Sequence, residues 1–210
     1  MSAEAVLRVP GDKSLSHRAL LFSALADGES RLRGLLPAED PASTATVLRA
    51  LGVRVPELTG PEVCVRGAGL RSLRPPTGPL DCGNSGTTAR LLCGVLAGFP
   101  FRAVLDGDAS LRSRPMRRVT EPLAAMGASF EELGGPDRLP LAVNGGALQA
   151  LHYRSPHASA QVKSALLLAG LTGGVEVSVS EPALSRDHTE RLLGAMGAEV
   201  VSTVEDGRPT

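Results

Sequence analysis

Three stretches of the chain share one order of polar and apolar positions: SLSHRALLFSALADGESRLRGL from Ser14, SGTTARLLCGVLAGFPFRAVLDG from Ser85 and ASAQVKSALLLAGLTGGVEVSV from Ala158. Each opens on small or hydroxylated residues and a basic one, then runs apolar for the length of a helix. The runs break at Gly28, Pro100 and Gly173 ahead of a strand-like stretch. Arg18, Arg90 and Lys163 fall at equivalent positions in the first turns. Each copy predicts a second helix, ending at ALGVRV, AMGASF and AMGAEV, where Gly52, Gly127 and Gly197 read as C-caps before an extended segment. The period is about 70–75 residues.

The fold this predicts is α/β (α+β), with three similar units at about 13–80, 81–150 and 151–210 related by pseudo-threefold symmetry. Each unit carries a helix, a strand, a loop, a second helix and one or two further strands. The third reads as incomplete, because EVVSTVEDGRPT holds only the beginning of a closing strand pair. Val6–Val9 reads as a short strand whose partners lie elsewhere, so the chain is expected to be the N-terminal part of a longer protein.

Composition narrows the partners. A formal charge of zero and 2% aromatic residues argue against nucleic acid, which needs a basic field or stacking platforms. No apolar run nears the ~18 residues of a membrane span, and MSAEAVLRVPGDKS lacks an apolar signal core, so the cytoplasm is the expected location. Cys64, Cys82 and Cys93 lack CxxC spacing and read as reduced small hydrophobes. His17, His152, His157 and His188 show no metal-ligand spacing and read as surface or supporting residues.

Candidate chemistry gathers at the helix starts. Lys13 and Lys163 are the lysines among 22 Lys and Arg residues; lysine shifts its pKa readily and arginine does not, so Lys13 is the first candidate for proton chemistry. In PGDKSLSHR, Asp12 or Ser14 is placed to cap a helix, and Lys13, Ser14 and Arg18 surround an N-terminus that favours an anion. LDCGNSGTTAR sets Gly83 and Gly86 for close backbone approach among Asn84, Ser85, Thr87 and Thr88. GDASLRSRPMRRV supplies Arg112, Arg114, Arg117 and Arg118, with Arg114 restricted by the proline that follows. SPHASAQVKSA adds Ser159 and Gln161, and VSEPALSRDHTE adds Ser180 and Arg186. Pseudo-symmetry would bring these starts to one face, which fits a small molecule bearing both phosphate and carboxylate better than a polymer.

The strings PGDKSLSHRALL, GNSGTTARLL, GDASLRSRPM, ASAQVKSALLLAGL and EPALSRDHTE resemble, in order and spacing, the N-terminal half of the 5-enolpyruvylshikimate-3-phosphate synthase family, the 3-phosphoshikimate 1-carboxyvinyltransferases. The resemblance implies an enolpyruvyl transferase-like domain of βαβαββ units, with residues 1–12 belonging to a second domain. It also implies transfer of the enolpyruvyl group of phosphoenolpyruvate to the 5-hydroxyl of 3-phosphoshikimate, in the shikimate pathway that leads to chorismate and the aromatic amino acids. No metal or organic cofactor is implied. By motif, Lys13 resembles the lysine that touches both substrates and assists proton transfer. Ser14, Arg18, Ser159, Gln161 and Arg186 resemble 3-phosphoshikimate contacts. Gly86, Arg114 and Gln161, with Lys13, resemble the phosphoenolpyruvate site.

Departures are local. Ala160 stands where some members have a second serine, and SEPALSRDH replaces a Ser-x-Pro-Tyr pattern, as in the glyphosate-tolerant branch, while Gly86 is of the type associated with sensitivity. The family's carboxylate base, a second acid and further Arg and Lys groups are implied to lie in the other domain, so the 210 residues alone are expected to be inactive and to bind 3-phosphoshikimate weakly at best. One rival is the related enolpyruvyl transferase acting on UDP-N-acetylglucosamine, which usually has Asn after the first lysine and Cys in the loop reading GDASLRSRPM. The other is a non-catalytic phosphate-binding module.

Overall fold

Three apolar helices, α1 (Lys13–Leu25), α3 (Gly86–Ala97) and α6 (Ala160–Gly173), form the centre of the computed structural model, which describes residues 10–210. Apolar side chains on all sides mark helices that are packed all round, and α3 is buried at every position except half-buried Thr87. Around them lie α2 (Glu39–Ala50), the single turn α4 (Ala109–Arg112), α5 (Arg117–Ala125) and α7 (His188–Ala195). These present one apolar stripe inward, such as Val119 and Leu123 of α5. Among the described residues no helix is long and apolar enough to cross a membrane.

The strands cover the outside in small sheets. β1 (Asp27–Arg33) pairs antiparallel with β2 (Glu62–Ala68), whose alternate residues Val63, Val65 and Gly67 face the core. The second sheet has the order β3-β4-β6-β5, from β3 (Leu80–Asp81), β4 (Arg102–Asp106), β5 (Ser129–Glu132) and β6 (Leu141–Asn144). There β3 and β4 run parallel around the crossover helix α3, and β6 is antiparallel to both neighbours. β7 (Leu151–Arg154) and β8 (Val177–Ser180) form a parallel pair around α6, and β9 (Val204–Glu205) and β10 (Arg208–Pro209) make a short hairpin. The middle segment is a complete βαβαββ unit, β3-α3-β4-α5-β5-β6, and the third repeats its first four elements as β7-α6-β8-α7. The expected strand at Val6–Val9 lies outside the described residues, as does most of the 1–12 segment.

The second helices end as their glycines demand. Gly52, Gly127 and Gly197 each adopt positive φ (88°, 111° and 91°) one residue beyond the cap, which a side chain would strain. The ends of the first helices differ from expectation. Helix α1 stops at Leu25 and Gly28 already lies in β1, α3 is capped by Gly98 ahead of Pro100, and α6 continues through Gly173 to a left-handed Gly174. In each case the cap falls one or two residues from the predicted position.

Where α3 crosses α6, a Cβ on Gly94 would stand 2.0 Å from the Ala165 carbonyl oxygen, so the helices meet backbone to backbone. Cys82 and Cys93 are buried and desolvation pushes both thiols up, Cys93 to about 12, whereas Cys64 is exposed on β2.

Candidate active site

In the first unit, Asp12 caps α1, its carboxylate accepting the Leu15 amide at 2.8 Å, and Ser14 is left free for other contacts. Lys13, half exposed, reaches the Asp40 carboxylate in the first turn of α2 at 2.8 Å. Ser14 is joined to Arg186 across 172 residues, the guanidinium donating to its Oγ at 3.0 Å. Arg18 is buried and held at every face: Nη1 donates to the Ser14 carbonyl (3.0 Å), Nε to Thr189 Oγ1 (2.7 Å) and Nη2 to Ser164 Oγ (2.6 Å). Burial, then the nearby Arg186, bring its pKa below the ordinary arginine value.

In the second unit, Ser85 caps α3 through its Oγ, which accepts the Thr88 amide at 3.1 Å. Arg114 donates to the Asn84 side-chain oxygen, and Asn84 in turn donates to Asp108 at 2.7 Å. That bond, with the Leu111 amide, holds the Asp108 carboxyl below its usual range. Buried Arg90 donates to the Pro115 carbonyl (3.0 Å) and the Gln161 side-chain oxygen (3.2 Å), while its Nε is buried without a partner. Burial, then Arg118 and Arg114, push it down to about 10. Gly86 lies against both guanidinium groups; a Cβ there would stand 2.6 Å from Arg90 Nη1 and 3.2 Å from Arg114 Nη1.

In the third unit, Ser159 stands at the N-cap of α6 without a side-chain cap bond, its amide donating to Glu181 at 2.7 Å. Gln161 bridges units, donating to Thr87 Oγ1 at 3.1 Å while accepting from Arg90. Lys163 faces inward to Glu181 (3.0 Å) and Glu190 (2.7 Å). Burial works to lower its pKa, but the hydrogen bonds it donates to Glu190 and Glu181 together raise it. Burial likewise pushes Glu181 up, and bonds from Ser185, Lys163 and the Ser159 amide outweigh it. Such an ammonium is already neutralised, so Lys163 is a structural cation.

These contacts close a ring. Unit one meets unit two through His17, Thr44 and Thr88; unit two meets unit three through Arg90, Thr87 and Gln161; unit three returns to unit one through Ser164, Thr189 and Arg18. The N-terminal halves of α1, α3 and α6 are therefore linked by side chains, which gathers the positive ends of three helix dipoles and a set of fixed cations. Gly86, Arg114 and Gln161 converge on Arg90, and Ser14, Arg18 and Arg186 form a second cluster. A concavity of about 730 Å³ is lined by Lys163, Glu176, Glu181, Asp187, Glu190 and Glu199, an excess of carboxylates unsuited to an anion.

Asp40 was not legible in advance, because an acid in the first turn of a helix reads as an ordinary complement to the helix dipole. Arg90 was placed by the repeat, but its role as the hub between units two and three depends on packing. His17 is fully buried rather than at the surface. Of the arginine cluster, Arg112 pairs with Asp106 at 2.6 Å, and Arg117 lies 3.9 Å from Glu121.

The profile of EPSP synthase (3-phosphoshikimate 1-carboxyvinyltransferase) matches residues 2–208. A 3-phosphoshikimate 1-carboxyvinyltransferase of Synechococcus sp. (strain RCC307) is 58% identical over 96% of the chain and 46% of its own length. That of Gloeobacter violaceus is 59% identical over 93% and 45%. The chain thus spans a little under half the length of these relatives. The solved EPSP synthase of Acinetobacter baumannii superposes with a TM-score of 0.90 at 43% identity, covering 97% of this chain and 45% of that one. Matched from residue 2 to residue 208 and over nearly all of its backbone, the chain belongs to the EPSP synthase family.

Proposed function

We propose that the chain forms the substrate-gathering domain of an enzyme that transfers the enolpyruvyl group of phosphoenolpyruvate to the 5-hydroxyl of 3-phosphoshikimate. The observation that carries this reading is the ring joining the starts of α1, α3 and α6, which collects Lys13, Arg18, Arg90, Arg114 and Arg186 around neighbouring helix N-termini. Two small polyanions held side by side need this density of fixed positive charge, and buried Arg18 and Arg90, already desolvated, require little reorganisation.

In this reading Ser14, Arg18, Ser159, Gln161 and Arg186 hold 3-phosphoshikimate, and Gly86, Arg114 and Gln161 hold phosphoenolpyruvate. Arg186 and Ser14, already paired at 3.0 Å, present a guanidinium and a hydroxyl to one phosphate. In the same reading Lys13 touches both ligands and acts as the proton carrier. The 5-hydroxyl oxygen bonds to C2 of phosphoenolpyruvate, its proton passing to a base of the second domain, as C3 takes a proton from the Lys13 ammonium. The tetrahedral adduct then returns a C3 proton to Lys13 as the C2–O bond to phosphate breaks, and phosphate leaves with the proton held by the base, restoring the double bond. Asp40 keeps the Lys13 ammonium in place until the incoming anions compete for it. A second domain supplies the remaining acid–base groups, residues 1–12 go with that domain, and the units run over about 13–80, 81–150 and 151–210. The substrates are dissolved metabolites of the cytoplasm.

The test is turnover by the full-length protein given both substrates, followed by phosphate release and product mass. Product with 3-phosphoshikimate is expected, and none with UDP-N-acetylglucosamine. The isolated 210-residue chain is expected to bind 3-phosphoshikimate weakly without turnover. Absence of product from the full-length protein, or a preference for the nucleotide sugar, would overturn the reading.

A further inference from the structure

A buried file of hydroxyl groups runs from α1 to the start of α3. His17, fully buried on α1, lies 2.7 Å from Thr44 Oγ1 of α2 through its Nδ1. Thr44 Oγ1 is 2.7 Å from Thr88 Oγ1 of α3, and Thr88 Oγ1 is 2.8 Å from Ser85 Oγ. Thr44, Thr88 and Ser85 are themselves buried.

The file has one polarity. Ser85 Oγ accepts both the amide and the hydroxyl of Thr88, so the one hydroxyl proton of Thr88 is spent there. Thr88 Oγ1 must then accept from Thr44, and Thr44 from a proton on His17 Nδ1. The imidazole is neutral with a bare Nε2, which is the atom left buried without a partner. Burial, opposed by Asp40 and reinforced by Lys13 and Arg18, keeps it neutral.

The ends of the file are what give it consequence. His17 lies four residues along α1 from Lys13, and Thr44 four along α2 from Asp40, so each shares a helix face with one member of the Lys13–Asp40 pair. At its other end Ser85 caps the turn that begins at Gly86. We propose that His17, through Thr44 and Thr88, is a positioning residue that fixes the Lys13 end of the site relative to the Gly86 end. Each ligand keeps its own contacts without the file; what the file sets is their mutual placement, on which the bond-forming step depends more steeply than binding does.

The inference rests on the proposed transfer reaction, and the test separates the two. In the full-length protein Thr44→Val and Thr88→Val remove one hydroxyl each at nearly constant volume. Each is expected to lower kcat about tenfold or more while KM for either substrate moves less than about threefold. The double variant should be no slower than the worse single one, because one file is broken only once. His17→Asn, which keeps a donor near the Nδ1 position, is expected to retain most of the activity that His17→Leu loses. Long-range ¹H–¹⁵N spectra of the wild type should show His17 protonated at Nδ1 and bare at Nε2. Unchanged kcat in the valine variants, additive losses, or the opposite tautomer would overturn the inference while wild-type turnover leaves the reaction standing. No wild-type turnover would remove the reaction, and the inference with it.

Discussion

Lys13 and Lys163 carry the same charge in the first turns of corresponding helices, yet their surroundings separate them. Lys163 is enclosed between Glu181 and Glu190, whereas Lys13 is half exposed with Asp40 as its one carboxylate partner among the described residues. An exposed pair is worth little to stability, which leaves Lys13 free to exchange partners. Lys13→Arg keeps the charge but loses the easily shifted ammonium; in the full-length protein kcat should fall at least about tenfold while substrate dissociation constants stay within about threefold. At Gly86 a methyl would meet Arg90 and Arg114, and Arg90 is pinned by Pro115 and Gln161 and cannot retreat. Gly86→Ala should therefore raise KM for phosphoenolpyruvate about tenfold and leave 3-phosphoshikimate affinity within about twofold. His17, held down to about 4 mainly by burial, binds a proton far more readily when the chain is unfolded. Its contribution is complete above pH ~6.5 and is lost as the pH falls through about 4, amounting to about 3 kcal/mol. Urea unfolding at pH 7 and pH 4.5 should show a larger loss for wild type than for His17→Asn; equal losses would exclude His17 as the source.

The helices that carry the site are fixed from behind by close packing. At the α3–α6 crossing Gly94 allows contact with Ala165 that no side chain permits, so Gly94→Ala should cost about 3 kcal/mol by pushing the helices apart. Thermal unfolding reads this directly, and an unchanged melting temperature would contradict the backbone contact. The glycine C-caps at Gly52, Gly127 and Gly197 were legible because positive φ leaves a residue-specific mark. The ends of α3 and α6 were less so, since each run is followed by more than one candidate stop, Gly98 and Pro100 or Gly173 and Gly174. The asymmetry between Lys163 and Arg18 was not legible at all. Both read as a base in a first turn, and only packing shows that one is neutralised by two carboxylates while the other donates to hydroxyls of a neighbouring unit.

At the scale of the molecule, threefold repetition turns a weak local feature into a strong one. A single helix start attracts an anion modestly, but three of them tied by Arg18, Arg90 and the His17 file share one region. The repeats, the fold class and the family were readable from apolar periodicity and motif order, because each copy states the same pattern again. The links between copies were not, since residues such as Ser14 and Arg186 meet only after 172 residues of chain have folded. The most direct test is amide chemical-shift mapping of the 210-residue chain during titration with 3-phosphoshikimate. Saturable shifts are expected together at the starts of α1 and α6 and around Arg186–Thr189. Shifts confined to one unit, or found at the opposite ends of the helices, would contradict a shared anion site.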